Sequence, residues 1–95
     1  MRVDIVARHI DISDKTRDYT NAEVGRLEKH FDRITSCRVI LEKNTEIEYT
    51  AEMVVNVPGE QLSAFEKSDD LTKSLDLAVK KMVRQLKRYK SKYQG

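Results

Sequence analysis

The sequence contains few cysteine, proline, glycine and tryptophan residues. Its 95 residues include one cysteine, one proline, three glycines and no tryptophan. A single cysteine, Cys37, cannot form a disulfide within the chain, which fits a reducing compartment. No apolar run approaches the ~20 residues of a membrane span or the core of a signal peptide. We therefore expect a cytoplasmic protein.

The chain is also poor in the patterns that enzymes and metal sites use. Its glycines, at 25, 59 and 95, form no phosphate-binding loop. His9 and His30 stand far apart and have no cluster of cysteines or histidines beside them, which argues against a metal site. Cys37 opens a predicted strand, where a half-buried structural thiol is favoured over a nucleophile. No nucleophile can be paired with a base, so the sequence predicts neither an enzyme nor a cofactor.

Charge, by contrast, is abundant and unevenly distributed. The chain has 18 Lys or Arg and 16 Asp or Glu, which gives a net charge of +2. Residues 1–70 contain 15 of the acids, whereas residues 71–95 contain eight Lys or Arg and one acid, Asp76. The basic C-terminal segment is therefore the feature that most needs a functional explanation.

Apolar periodicity predicts six elements within a single domain, 1–95. Alternating or β-branched segments predict strands at 1–8, 37–43, 47–57 and 60–67, with Val3, Ile5 and Ala7 on one face of the first. Helical spacing predicts a helix over 13–35, capped by Ser13, and a last helix from Leu71 almost to the C-terminus, capped within 68–70. The first stripe comprises Thr20, Val24, Leu27, Phe31 and Ile34. The second comprises Leu71, Leu75, Ala78, Met82, Leu86, Tyr89 and Tyr93.

The order β-α-β-β-β-α predicts how these elements pack. Short turns join the last three strands, which favours an antiparallel meander, whereas a helix joins the first strand to the second, which favours a parallel pair. Both helices should cover the sheet face that carries the apolar alternation. The predicted fold is an α+β two-layer sandwich with a four-stranded sheet.

Both helices present basic residues away from their apolar stripes. Angles around the last helix are counted from Leu71 at 100° per residue, which centres the apolar stripe at ~20°. One set of cations lies opposite the stripe, at about 160–220°: Lys73, Lys80, Arg84 and Lys87. A second set lies at about 260–300°: Lys81, Arg88 and Lys92. A solvated face normally mixes both signs of charge, so this face favours a polyanion such as RNA, bound through its phosphates. On the first helix alone, ordinary solvation would suffice. The predicted RNA-binding residues are Arg26, Lys29, Arg33, Lys73, Lys80, Lys81, Arg84, Lys87, Arg88 and Lys92.

Three stretches of the chain carry a family resemblance. IDISDKTR (10–17), LEKHFDRI (27–34) and RQLKRYKSK (84–92) resemble the ribosome hibernation-promoting factors, also called ribosome-associated inhibitors or sigma-54 modulation proteins. The resemblance covers the whole chain and implies a fold like the double-stranded RNA-binding domains. It also implies binding to the small ribosomal subunit and its ribosomal RNA, in the channel of messenger and transfer RNA, and inhibition of translation in stationary or stressed bacteria. The family's basic positions fall here on Arg26, Lys29, Lys81, Arg84, Arg88 and Lys92.

The resemblance has limits. Family members often carry a methionine-tyrosine pair where this chain has Leu71 and Thr72. If that tyrosine stacks on RNA, this chain cannot make the same interaction, and if it only packs, little changes. Lacking a second domain or an acidic tail, the chain resembles the type that pairs ribosomes together with a separate small modulation factor.

Two tyrosines of the last helix lie on its apolar stripe. We expect Tyr89 to pack on the sheet, whereas Tyr93 could either pack or stack on a base.

The alternative function is a protein-interaction modulator of the sigma-54 type, or a general module for structured RNA. In the first case the basic face would bind an acidic protein surface. The salt dependence of the affinity would distinguish a protein partner from an RNA partner. A partner contacting about 6–10 phosphates should lose about 10³–10⁵ in affinity between roughly 50 and 200 mM salt. Binding to an acidic protein patch should weaken less steeply.

Overall fold

A four-stranded sheet and two helices make up most of the chain. The computed structural model describes residues 1–92 in full and the backbone of Tyr93. In chain order the elements are β1 (Arg2–Arg8), α1 (Asp14–His30), β2 (Ser36–Thr45), β3 (Glu48–Val57), β4 (Glu60–Ser68) and α2 (Leu71–Tyr93). The strands lie in the order β1-β2-β3-β4, with β1 parallel to β2 and the other two pairs antiparallel. The predicted α+β architecture and its strand pairing are confirmed.

One face of the sheet forms the core with both helices. The register pairs Val39 of β2 with Met53 of β3, and Met53 with Ala64 of β4, so alternate residues of three strands enter one layer. From the helices, Leu27 and Met82 are fully buried against this layer. Apolar burial of this kind contributes about 25 cal/mol per Å² and is the main force that holds α1 and α2 on the sheet.

The opposite face of the sheet is solvent-exposed and mixed in character. Arg38, Glu52 and Lys67 lie on it, as the alternation with the buried residues requires. Phe65 lies directly beside Glu52 and is 52% exposed. This face therefore offers charged and aromatic positions that do not touch the helices.

The first helix is shorter than the sequence predicts. It ends at His30 rather than at residue 35, and Phe31 is extended, with φ −158° and ψ 109°. The Phe31 ring meets Tyr89 edge-on, with centroids 5.3 Å apart and ring planes at 74°. Ile34 is also buried. The helical spacing was misleading at these two positions because both side chains enter the core from the connection that returns the chain to β2.

Side-chain oxygens accept hydrogen bonds from backbone N–H groups at the start of both helices, as predicted. The Ser13 hydroxyl accepts a bond from the Thr16 N–H at 3.1 Å, and the Asp70 carboxylate accepts one from the Lys73 N–H at 2.9 Å. These bonds satisfy amide groups that have no partner within the helix. The buried hydroxyl of Ser74 donates to the carbonyl of Tyr49 at 2.8 Å, which ties the start of α2 to β3. Neither α1 nor α2, the helices of the described chain, combines the length and the apolar composition that a membrane span requires.

The boundaries of all four strands differ from the prediction by one or two residues. β2 runs on to Thr45 through the predicted turn, with an irregular register between Lys43 and Thr45. β3 begins at Glu48, and Ile47, predicted as its first residue, lies in the turn and is 77% exposed. Ala7 is exposed rather than in the core because it lies near the end of an edge strand.

Tyr89 joins α2 to the turn between β3 and β4. The turn contains Pro58 and Gly59, and Gly59 has a φ of 80°, a conformation that glycine adopts without strain. The Tyr89 hydroxyl donates a hydrogen bond to the Pro58 carbonyl, and the residue is buried. Packing is thus confirmed for Tyr89. The side chain of Tyr93 lies outside the described residues.

Replacing Gly25 with alanine is expected to stabilise the protein. Gly25 lies inside α1 with an ordinary helical backbone, and no described atom beyond the backbone of the helix itself lies within 4 Å of an added Cβ. Alanine in a helix interior is favoured over glycine by about 0.5–1 kcal/mol. Thermal unfolding should therefore show a Tm several degrees higher for Gly25→Ala, at about 4–8 °C per kcal/mol. A lower Tm would mean that the outer side of α1 has a contact that the structure does not show.

Candidate nucleic-acid interface

The outward side of α2 carries most of the predicted RNA-binding residues. Met82 and Leu86 hold the helix on the sheet, and the side chains on the opposite face point to solvent. Arg84 and Arg88, one helical turn apart, are both exposed. Lys73, Lys80 and Lys87 are exposed as well. Because its cations run from Lys73 to Lys92 along α2, this basic face extends over about 30 Å.

A cleft between α1 and α2 brings cations from both helices together. Arg26 of α1 and Lys80 and Arg84 of α2 line it, and its volume is about 570 Å³. Its apolar lining comes from Val79, which is buried, and Val83, which is half-buried. We call this space the inter-helix cleft. Three of the residues predicted from separate parts of the sequence therefore share one concave surface.

A second group of cations lies on the side of α2 that faces β4. Lys81, Arg84 and Arg88 line a depression of about 300 Å³ there, together with Gln85. The Lys81 ammonium is 3.9 Å from a carboxylate oxygen of Glu66 on β4. Arg84 belongs to both the depression and the inter-helix cleft. This residue thus lies at the centre of the basic surface.

The remaining predicted residues lie further from these two concave regions. Lys29 is exposed in the last turn of α1, and Lys92 is exposed in the last turn of α2. Arg33 is exposed but lies in the connection after α1, not on the helix where the sequence predicts it, because α1 ends at His30. Thr72 is exposed in the first turn of α2 and takes no part in the core.

Two acidic side chains of the inter-helix cleft are absent from the sequence-based prediction. Asp76 accepts a hydrogen bond from the Tyr19 hydroxyl at 2.6 Å, which joins α2 to α1. This bond, with burial and the negative charges of Asp76 and Glu23, raises the pKa of Tyr19 to about 12. The sequence does single out Asp76, since it is the one acid among residues 71–95.

Glu23 is the second of these acids and the more deeply placed. It is only 9% exposed, although it lies in the lining of the inter-helix cleft. Arg26 Nη1 donates to both of its carboxylate oxygens, at 3.1 and 3.2 Å. The spacing of three residues between them on one helix is the sequence signal that was available. These hydrogen bonds offset the cost of placing a carboxylate this deep, since a buried polar group without a partner is unfavourable.

Removing the Asp76 carboxylate is expected to change how Tyr19 titrates. The pKa of Tyr19 is raised from 10.0 to about 12, so its protonated form stabilises the fold below pH ~10, and that contribution is lost as the pH rises through about 12. In Asp76→Ala the pKa should return toward 10, as followed by phenolate absorbance during an alkaline titration. Asp69→Ala, which removes an exposed carboxylate before α2, is the control. Identical titrations of wild type and Asp76→Ala would contradict the assignment.

The rest of the described chain shows no comparable chemistry. Within residues 1–93 no three His, Cys, Asp or Glu side chains are grouped so that they could hold a metal ion. Cys37 is more deeply buried than predicted, at 1% exposed, because it faces the core from β2. Burial raises the pKa of its thiol to about 12. The surface arrangement suits the binding of anions by fixed cations.

Comparison with known proteins gives consistent matches over the whole length. Residues 3–94 match the model of the family described as Sigma 54 modulation protein / S30EA ribosomal protein. A ribosome hibernation promoting factor of Pseudomonas putida is 33% identical over 95 residues, which covers 100% of this chain and 92% of the relative. One of Azotobacter vinelandii is 36% identical over 92 residues, which covers 97% of this chain and 85% of the relative.

Two solved structures have the same fold as this chain over nearly its whole length. A ribosomal subunit interface protein from Coxiella burnetii has a TM-score of 0.88 and 28% identity, covering 96% of this chain and 99% of that one. The N-terminal domain of Protein Y from Thermus thermophilus has a TM-score of 0.84 and 28% identity, covering 94% and 99%. The arrangement of strands and helices described above is therefore shared with these proteins.

Proposed function

This chain belongs to the Sigma 54 modulation protein / S30EA ribosomal protein family, and from this we propose that it is a ribosome hibernation factor. It binds the small ribosomal subunit through the basic face formed by α1 and α2. By occupying the channel used by messenger and transfer RNA, it inhibits translation. The names of its relatives, ribosome hibernation promoting factor and ribosomal subunit interface protein, support this direction.

The basic face of α2 is the observation that carries the proposal. Arg84 and Arg88 have no carboxylate oxygen within salt-bridge distance among the described residues, and both are exposed. Like charges left unpaired along one helix repel each other, which disfavours the free protein. A polyanion removes that cost and releases the counterions condensed on its own phosphates. Ribosomal RNA is the polyanion to which the family resemblance points.

The dimensions of the molecule suit binding within a channel. Its principal extents are 47 × 21 × 18 Å, so it is more than twice as long as it is wide. The cations of α2 follow most of that length, since the helix has 23 residues. A rod with charge along one side can contact phosphates on a groove wall over several nucleotides. Contacts of this kind position a protein without reading sequence.

The same proposal assigns the surroundings of the protein. Ribosomes lie in the cytoplasm, which is where we place this chain. A separate small modulation factor is the further partner that pairing of two ribosomes would need. Neither a cofactor nor a small-molecule substrate has a role in this function, since binding to the ribosome is itself the inhibitory event.

Co-sedimentation with bacterial small ribosomal subunits over a salt series tests the proposal. We expect sub-micromolar, roughly one-to-one binding that messenger or transfer RNA displaces. The affinity should fall steeply with salt, by about 10³–10⁵ between roughly 50 and 200 mM if about 6–10 phosphates are contacted. No binding at low salt would overturn the proposal and favour the protein-interaction alternative. Binding that transfer RNA does not displace would exclude the channel as the site.

A further inference from the structure

The inter-helix cleft contains a feature that phosphate binding does not explain. Glu23 places a nearly buried negative charge among Arg26, Lys80 and Arg84, where it would repel a phosphate. Asp76 adds a second acid to the same lining. If the cleft served only to bind phosphates, both acids would weaken it. The presence of a fixed hydrogen-bond acceptor indicates a ligand that offers hydrogen-bond donors.

We propose that the inter-helix cleft receives one unpaired guanine base of the bound RNA, with the Glu23 carboxylate accepting hydrogen bonds from its Watson–Crick edge. This inference rests on the proposed function, because it presupposes that RNA lies along α1 and α2. Lys80 and Arg84 bind the phosphates on either side of that nucleotide. The site therefore reads one base, whereas the remainder of the basic face binds the backbone.

The size and lining of the inter-helix cleft suit an aromatic ring. Its volume of about 570 Å³ lies within the ~300–1,000 Å³ of small-molecule pockets. Val79 and Val83 supply an apolar surface, and the ring of Tyr19 forms part of the wall. Unstacked bases of single-stranded RNA are commonly bound between apolar or aromatic side chains and recognised through their edges. The cleft thus combines a surface for the ring with an acceptor for its edge.

The chemistry of a carboxylate selects guanine among the four bases. An ionised carboxylate only accepts hydrogen bonds, and its two oxygens match two parallel donors. Guanine presents two adjacent donors, N1–H and N2–H, on its Watson–Crick edge. Adenine, cytosine and uracil each place an acceptor beside the donor, and this acceptor would face the second oxygen of Glu23. Arg26, which donates to both oxygens through Nη1, holds the carboxylate in a fixed orientation.

The test compares short oligoribonucleotides that differ only in the central base. Five-nucleotide uridine oligomers with guanine, adenine, cytosine or uracil at the centre are titrated at low salt by fluorescence anisotropy. Wild-type protein should bind the guanine oligomer about 5-fold to 100-fold more tightly, the range for a good bidentate base contact. Glu23→Gln should lose that preference. Glu28→Gln, which removes an exposed carboxylate from the same helix, should retain it.

The other outcomes separate this inference from a purely electrostatic role of Glu23. A uniform gain by Glu23→Gln for all four oligomers would show that the carboxylate only repels phosphate. A uniform loss would show that it only orients Arg26. Either result, or equal binding of all four by wild type, overturns the inference. If wild type still sediments with small subunits in that case, the proposed function stands, whereas loss of both removes the proposed function.

A second measurement needs no variant and covers the case in which Glu23→Gln does not fold. Guanosine monophosphate, adenosine monophosphate and uridine monophosphate are titrated into ¹⁵N-labelled wild-type protein. Amide shifts at Glu23, Val79 and Val83 with the guanine nucleotide alone support the inference. Equal shifts with all three nucleotides, spread over exposed lysines, contradict it.

Discussion

Arg84→Glu, Arg88→Glu is expected to abolish binding to small ribosomal subunits in a protein that still folds. Both side chains are exposed, and Arg84 lines both concave regions of the basic surface. Each charge-assisted hydrogen bond is worth about 1.5–3 kcal/mol, so removal of two predicts a decrease in affinity of about 100-fold or more. The salt dependence of any residual binding should also be weaker, by about one unit of slope for each phosphate that the variant no longer binds. Co-sedimentation measures both quantities.

Arg38→Glu, Lys67→Glu is the matched control for this variant. It reverses the same number of charges on the outer face of the sheet, away from the helices. If net charge alone governed binding, the two variants would weaken it equally. We expect the control to keep most of the wild-type affinity, because its cations lie away from the proposed interface. Normal binding by the folded α2 variant would refute the role of this surface.

Among the variants proposed for this protein, Phe31→Ala is expected to cause the largest loss of stability. Its ring is buried at the end of α1 and packs edge-on against Tyr89, which itself binds the turn between β3 and β4. Truncation of a buried phenylalanine costs about 3–5 kcal/mol, against a typical total stability of about 5–15 kcal/mol. The free energy of unfolding from urea titration should fall by that amount. We expect Tm to fall by about 12 °C or more.

Phe65→Ala provides the same substitution at an exposed position. Phe65 lies on the outer face of the sheet and is 52% exposed, so little apolar area returns to water when it is truncated. The expected loss is below about 1 kcal/mol, mainly from reduced strand propensity. Comparable losses for the two variants would mean that the outer face of the sheet is buried in solution, for instance against a second molecule.

The fold was predictable because local patterns and connection lengths agree in this sequence. Alternation in β3 and helical spacing in α2 each identify one element, and short turns leave one simple pairing for the last three strands. The end of α1 was not predictable in this way. Phe31 and Ile34 continue the helical spacing, yet they reach the core from an extended segment, and only the path back to β2 decides between the two conformations. Spacing reports burial more reliably than it reports helix ends.

The candidate site was predictable in its cations and not in its acids. A basic helix face can be read from 100° steps alone, since exposed Lys and Arg on one side have few structural roles. Glu23 and Asp76 required the three-dimensional arrangement, because each gains its meaning from a residue on the neighbouring helix or from the depth of the inter-helix cleft. In the sequence, an acid beside the basic face resembles an ordinary salt-bridge partner until its burial is known.

The position of Cys37 limits how two copies of the protein can associate. The residue is the one cysteine of the sequence, and its side chain is enclosed in the core, where the raised pKa keeps the thiol protonated at neutral pH. Thiol–disulfide exchange needs an accessible thiolate, so the folded protein cannot form a covalent dimer or a mixed disulfide with glutathione. Oxidation of thiols therefore does not cross-link the folded protein through Cys37. Two folded copies can therefore pair only through contacts other than a disulfide.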